Sequence, residues 1–426
     1  MQPLGNPAPA GEHECDVVVV GGGPGGSATA AMLAKHGHHV ILIEKERYPR
    51  DKTCGDGLTP RAVVALQQLG LYEEAAGEVD GFAIQKGLRI YGGDMVWNLP
   101  WPETDRFPSY SLTSRREILD YRLAEYAQEC GATIWSETKV TEPVFGADPG
   151  HCTGVMFQSP NGAGQVRANY VVAADGGSSR IAVKLGLPRD QARPMGTAVR
   201  AYYKSPRASM QYMESHLEMR AGDELLPGYG WIFPLDHGLV NVGWGLISTS
   251  PQYQKVNYRQ LLDAWVNNMP ESWEISTETQ VGRAKSSPLP MAHNRHPHLY
   301  RGVLLVGDAG GMVSPFNGEG ISYALEAGYM AAEAIDSALA NGSHRALEAY
   351  PAAVRAAWGG YFRLGIYFLE AMGNKDVMRL CTQHGLPRRY VLEFVNRTMA
   401  QLINEPRPHN ITDVVIGGLS RLVRAA

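Results

Sequence analysis

Residues suited to one kind of chemistry cluster near the N-terminus. Residues 21–26 read Gly-Gly-Gly-Pro-Gly-Gly, so Gly21, Gly23 and Gly26 fill the glycine positions of a G-x-G-x-x-G turn. An apolar run at 16–20 precedes the turn, and a small-residue stretch from Ser27 to Gly37 follows it. A second apolar run at 40–43 ends in Glu44, 18 residues beyond Gly26. In strand–turn–helix–strand order each glycine has a task. The first turns the chain, the second lets backbone approach a pyrophosphate, and the third lets the helix pack on the strand. The helix start offers N–H groups and partial positive charge to phosphate. Glu44 is placed to accept hydrogen bonds from a ribose 2′-hydroxyl, which argues against a 2′-phosphate and leaves NAD or FAD.

Two more carboxylates stand at predicted strand ends. Asp175 follows the run 170–174 and Asp308 follows 303–306. An acid there can bind a ribityl hydroxyl. Beyond Asp308, a loop with Pro315 and the Gly318-Glu319-Gly320 turn opens a helix expected from about Ile321. Its first backbone groups, at Gly318, Gly320 and Ile321, can stabilise negative charge on a reduced flavin ring. Ser114 and Glu117 have capping-box spacing, which predicts a helix start with Arg116 or Arg115 facing the nucleotide phosphates. Cys54 lies in a Gly-rich loop near Arg50 and Lys52, cations expected to lower its pKa. It is either a reactive thiol or proton donor, or a small residue that shapes a pocket. Lys52 is the second catalytic candidate beside Cys54: it either pairs with a diphosphate head group or the flavin, or is a solvated loop charge. Tyr229 and Trp231 alternate along a strand-like run and either line a cavity or fill a core. His293, His296 and His298 are spaced irregularly around Pro297, with no carboxylate or thiol beside them, so no metal site is expected.

The Gly21–Gly26 turn with Glu44, the Ala174-Asp175-Gly176 triplet and the Gly307-Asp308-Ala309 triplet resemble the FAD-binding domain of aromatic hydroxylases, flavin halogenases and geranylgeranyl reductases. Stretches 48–64, 229–235, 287–295 and 307–328 are most similar to the geranylgeranyl reductase family, especially actinobacterial reductases of the menaquinone prenyl chain. The likeness runs over nearly the whole chain after residue 14. It implies FAD contacts at Gly21, Gly23, Gly26, Glu44, Arg116, Asp175 and Asp308. It implies that Arg50, Lys52, Cys54, Gly55 and Gly57 form the loop beside the isoalloxazine ring, and that Tyr229, Trp231 and Phe233 line a substrate cavity. The implied reaction saturates C=C bonds of an isoprenoid chain. Reduced FAD gives hydride to one carbon and an acid in a dry cavity protonates the other, with Cys54, or a water held by its loop, as the candidate. No second Gly-rich nucleotide unit is present, so the reductant is NAD(P)H docking transiently or a redox protein. The run 229–234 also resembles the halogenase W-x-W-x-I-P pattern, which keeps an FAD-dependent monooxygenase or halogenase as the alternative. Residues 404–415 are less acidic than is usual in the menaquinone reductases, which leaves a natural-product substrate open.

These motifs demand a mixed α/β chain: a Rossmann-type FAD-binding domain interleaved with a β-sheet substrate domain, plus C-terminal helices. The expected division is 15–70, 105–182 and 283–345 for the FAD domain, 71–104 and 183–282 for the substrate domain, and 346–426 for the helical region. A chain of 426 residues, 44% hydrophobic and 19% charged, is neither disordered nor fibrous. With 39 Lys+Arg against 43 Asp+Glu it lacks the basic excess of a nucleic-acid binder. No apolar run reaches the roughly 18 residues of a membrane span. Residues 1–15 lack the basic start and apolar core of a signal peptide and are expected to form a flexible Pro/Gly/Ala tail. Five widely spaced cysteines without a C-x-x-C are expected to be reduced thiols in a cytoplasmic protein. Abundant Arg, Ala and Gly suit a GC-rich bacterial gene. Residues 411–422 carry apolar positions at helical spacing, expected either to pack on the body or to lie on a membrane surface.

Overall fold

The computed structural model describes residues 1–73, 80–92, 95–148, 150–222, 224–374, 377, 388–402, 414 and 418. Its architecture is mixed α/β, as the motifs require, and rests on two large sheets. In the first, β1 (Gly11–Val20) pairs in parallel with β2 (Val40–Ile43) on one side and with Gly162–Ala173 on the other. Strands Thr133–Trp135 and Val303–Leu305 extend the parallel array outward. Val17 to Val19 and all of β2 are buried, which is why these strands read as unbroken apolar runs. The helix α1 (Pro24–Lys35) is buried nearly all round, hence its small residues. It packs against the long helix Ile321–Asn341 at Gly328, where a Cβ would fall 2.7 Å from the Gly25 carbonyl oxygen.

The second sheet has seven strands in the order Gln280–Pro290, Met195–Lys204, Leu239–Ile247, Gly228–Pro234, Tyr212–His216, Gly87–Gly92, Met95–Pro100. Alternation along its strands makes two apolar faces. Val199, Ala201, Ile232, Val242 and Trp244 pack with Leu262 and Val266 of the helix Tyr258–Asn267. The opposite face, carrying Trp231 and Phe233, meets the loop that follows β2. Helices Ala349–Val354 and Gly360–Met372 and an intervening turn bury Trp358 and Phe362 against Tyr323.

Two expectations are corrected. Residues 1–15 are not a free tail: Leu4 and Ala8 are buried, and β1 already begins at Gly11, paired with Gly164. The Ala8 N–H donates to Thr138 Oγ1 at 2.9 Å and its carbonyl accepts from Ser159, so this segment closes the sheet's flank. The capping box does not form. The helix runs Arg116–Glu129 with Arg115 at its N-cap and no side-chain cap. Ser114 instead follows the strand Ser111–Thr113 and donates its N–H to the Asp56 carbonyl. Among the described residues no helix is long and apolar enough to cross a membrane. The amphipathic stretch 411–422 lies outside the described residues except for Val414 and Gly418.

Candidate functional site

The first part of the site is the turn after β1. Gly21 has φ of 104°, and a Cβ there would fall 2.4 Å from the Ala174 carbonyl oxygen. A Cβ on Gly26 would fall 1.9 Å from the Gly21 carbonyl oxygen, so α1 can seat only on glycine. Gly23 differs. A Cβ there would meet nothing nearer than Arg116 Nη2 at 3.8 Å and Arg50 Nη2 at 4.0 Å. Open space therefore lies over Gly23, at an α1 start with no side-chain cap and beside two guanidinium groups. That cradle fits a dinucleotide pyrophosphate.

Both arginines are held by Asp120, a residue the motifs did not single out. Arg50 Nη1 donates to Asp120 at 2.6 Å, and Arg116 donates through Nε and Nη2 at 2.7 Å each. The only sequence signal was its position one helical turn beyond Arg116. Arg115 points elsewhere, to Asp236 and Glu117. Glu44 is buried and accepts from the Gly22 N–H at 3.0 Å and Arg50 Nη2 at 3.1 Å, which places it against the Gly-rich turn.

The second part lies at the other strand ends. Asp175 accepts the N–H groups of Arg180 and Ile181 and so caps the short helix Arg180–Lys184; burial raises its carboxyl pKa. Asp308 sits in the turn after Val303–Leu305, 3.6 Å from Lys52 Nζ. A Cβ on Gly176 would also lie 3.6 Å from Lys52 Nζ, and one on Gly320 would lie 3.3 Å from Asp308 Oδ1. Lys52 thus spans the two turns, and Asp308 in turn meets the start of the helix Ile321–Asn341, which Gly320 begins without a side-chain cap. Gly318 has φ of 74°, and Glu319 beside it is half-buried, accepting from Thr59 Oγ1 at 2.6 Å.

The third part is an aromatic row. Tyr229, Trp231 and Phe233 share one face of Gly228–Pro234, with ring centroids 6.0 and 6.3 Å apart. The loop carrying Cys54 lies on this row. A Cβ on Gly55 would be 3.3 Å from Phe233 Cε2, and one on Gly57 would be 3.0 Å from the same atom. Tyr229 donates its hydroxyl to the Asn317 carbonyl at 2.6 Å, tying the row to the Gly318 loop. Phe233 continues into an apolar wall with Trp101, Phe107, Met213 and Leu402.

Cys54 corrects an expectation. Burial pushes its thiol above the ordinary value; Arg116 opposes the rise and Asp56 adds to it. Arg50 and Lys52 do not activate it, because each already has a carboxylate partner. The thiol is a neutral donor rather than a thiolate. Asp56, also missed by motif, is buried and shifted to about 6 by desolvation, against the pull of Arg200, Asn241 and Tyr202. His293 and His298 are buried ring to ring behind the Gly310–Gly311 turn, and His296 lies outside near Asp190.

Residues 14–359 match the model of a family described as FAD binding domain. The chain is 38% identical over 323 residues to a menaquinone reductase of Mycolicibacterium smegmatis, covering 76% of each protein. It is 31% identical over 336 residues to a chloroplastic geranylgeranyl diphosphate reductase of Oryza sativa, covering 77% of this chain and 67% of the relative. The crystal structure of a geranylgeranyl bacteriochlorophyll reductase-like protein from Thermoplasma acidophilum superposes with a TM-score of 0.76 at 22% identity, covering 96% of this chain and all of that one.

Proposed function

This chain belongs to the FAD-binding domain family, and from that premise we propose that it is an FAD-dependent reductase saturating C=C bonds of an isoprenoid chain, such as that of a prenyl quinone or geranylgeranyl lipid. The observation that carries this reading is the course of the loop 50–57. Lys52 reaches the turns at the nucleotide strand ends, and two residues later the same loop lies on an aromatic row that continues into an apolar wall. Cys54, on the same loop, carries a neutral thiol that accepts from the Asp56 N–H at 3.3 Å.

When bound, FAD supplies the hydride. Arg50, Arg116 and the α1 start would hold its pyrophosphate, and Lys52 and Asp308 would bind toward its flavin. Tyr229, Trp231 and Phe233 hold the alkene and exclude water. An isolated alkene accepts hydride poorly, so positive charge developing on carbon must be met by a proton from a positioned acid. Cys54 Sγ carries that proton. The reductant, NAD(P)H or a redox protein, comes from solvent. The protein works in the cytoplasm, with peripheral membrane contact where its lipid substrate resides. Holoprotein incubated without oxygen with dithionite and a menaquinone mixture is expected to give quinones heavier by about two mass units per saturated bond. Unchanged masses with both menaquinone and geranylgeranyl diphosphate would overturn the reading.

A further inference from the structure

One buried group at the junction of loop and sheet has no task in the reaction above. Asp56 lies two residues beyond Cys54, with φ of 65° and no solvent exposure. Its backbone N–H donates to Cys54 Sγ at 3.3 Å. Its Oδ2 accepts from the Tyr202 hydroxyl and from Asn241 Nδ2, both at 2.8 Å. Asn241 Nδ2 also donates to the Cys54 carbonyl at 2.8 Å, and Asn241 Oδ1 accepts from Trp231 Nε1 at 2.8 Å. Among the described residues Asp56 Oδ1 is buried without a hydrogen-bond partner. One carboxyl therefore joins the thiol loop to the aromatic row and keeps an oxygen spare.

The groups facing it come from four directions. Arg200 and Tyr202 belong to Met195–Lys204, Asn241 to Leu239–Ile247, Arg116 to the helix Arg116–Glu129, and Cys54 to the loop itself. Arg200 stacks on the Tyr202 ring at 4.2 Å and pairs with Asp51, which is bridged at 2.7 Å to Lys285, a half-exposed residue. Charged groups thus run from the Tyr202 ring beside Asp56 out to the exposed Lys285.

We propose that Asp56 is the proton reserve of Cys54: after each turnover the protonated Asp56 carboxyl returns a proton to Cys54 Sγ and is itself reprotonated from solvent past Tyr202. The inference rests on the prenyl-reductase reading in which Cys54 is the acid. In the reaction the S–H bond breaks as a C–H bond forms, leaving a thiolate. The Asp56 O–H bond then breaks as S–H reforms, leaving a carboxylate that water reprotonates. No electrons pass between the two residues; the hydride comes from FAD charged by the reductant. The return runs downhill, because the carboxyl titrates near 6 and the thiol above its ordinary value.

Asp56→Asn isolates the proton chemistry. The amide oxygen can accept from Tyr202 and Asn241 as Oδ2 does, and the amide nitrogen takes the place of the unpartnered Oδ1. Two readouts on the holoenzyme decide. Removing a like charge lowers the Cys54 pKa, so alkylation by iodoacetamide at about pH 8, resolved to the Cys54 peptide by mass spectrometry, should be roughly tenfold faster. Wild-type kcat should fall as pH rises above about 6. Asp56→Asn should lack that limb, with kcat at least tenfold lower, within the usual range for lost proton transfer, and KM unchanged. Tyr202→Phe, which removes one donor to the carboxylate, should move the limb to higher pH and serves if Asp56→Asn does not fold. Unchanged alkylation, a limb that persists in Asp56→Asn, or a limb unmoved in Tyr202→Phe overturns the proposal. A wild-type protein inert toward prenyl substrates overturns the reductase reading instead, and the alkylation rates still decide whether Asp56 governs the thiol.

Discussion

Replacing Asp120 by asparagine probes the cradle over Gly23. Asp120 is fully buried and takes three short N–H bonds from Arg50 and Arg116. Burial alone would raise its carboxyl pKa, but the two guanidinium groups hold it below the ordinary value. Asparagine keeps the shape and removes the charge, leaving two buried cations with Glu44 and the Gly22 carbonyl as remaining partners of Arg50. Breaking a buried ion pair from one side costs about 3–5 kcal/mol. A bound diphosphate returns negative charge to the same guanidinium groups, so the loss in the FAD complex should be about half that in the apoprotein. Urea unfolding followed by tryptophan fluorescence, with and without saturating FAD, measures both. The carboxyl's folded pKa is depressed, so its contribution is present above the unfolded value of about 4 and lost as pH falls below it. Apo Asp120→Asn should lack that part of the acid sensitivity. Equal losses with and without FAD, or an apoprotein loss under about 1 kcal/mol, would refute the assignment of the arginine pair to the pyrophosphate.

Other expectations follow from single contacts. Gly26→Ala sets a Cβ 1.9 Å from the Gly21 carbonyl oxygen, so α1 cannot seat, and flavin titration should show FAD affinity reduced at least about 100-fold. Cys54→Ala should keep the flavin spectrum and lose about 100- to 10,000-fold in kcat; full turnover would remove the thiol from its role. His298 donates through Nε2 to the Gly310 carbonyl at 3.1 Å, and burial lowers its pKa to about 4. Its contribution is whole above the unfolded value of about 6.5 and falls as pH drops toward 4. Thermal melts at about pH 7 and pH 5 should therefore converge in His298→Gln, which keeps a donor to Gly310 and cannot titrate.

Features written within one short stretch were readable from residues alone. The β1–turn–α1–β2 unit, the Asp308 turn and the helix starting at Ile321 each combine glycines with a burial pattern the chain cannot disguise. The resemblance to prenyl reductases pointed to Tyr229, Trp231 and Phe233, and the structure places them in one row against the Cys54 loop. What stayed hidden depends on distant segments meeting. Asp56 looks like an ordinary turn residue until Tyr202 and Asn241, 146 and 185 positions away, close over it. The Cys54 pKa moved the opposite way to expectation because sequence proximity shows Arg50 and Lys52 but not the carboxylates that take up their charge. The capping box failed for a related reason: the Ser114 N–H is held by the Asp56 carbonyl, and the helix takes Arg115 as its N-cap. The N-terminal segment looked unstructured by composition and is ordered by contacts with Thr138 and Ser159, more than 100 residues away.

An anaerobic single turnover separates reduction from oxygen chemistry most directly. Holoprotein is reduced without oxygen, mixed with a menaquinone or geranylgeranyl lipid, and followed by flavin absorbance and product mass together. The oxidised flavin spectrum should return without oxygen, in step with products about two mass units heavier per saturated bond. A flavin that stays reduced until air enters, with a product that then gains oxygen or halogen, would contradict it.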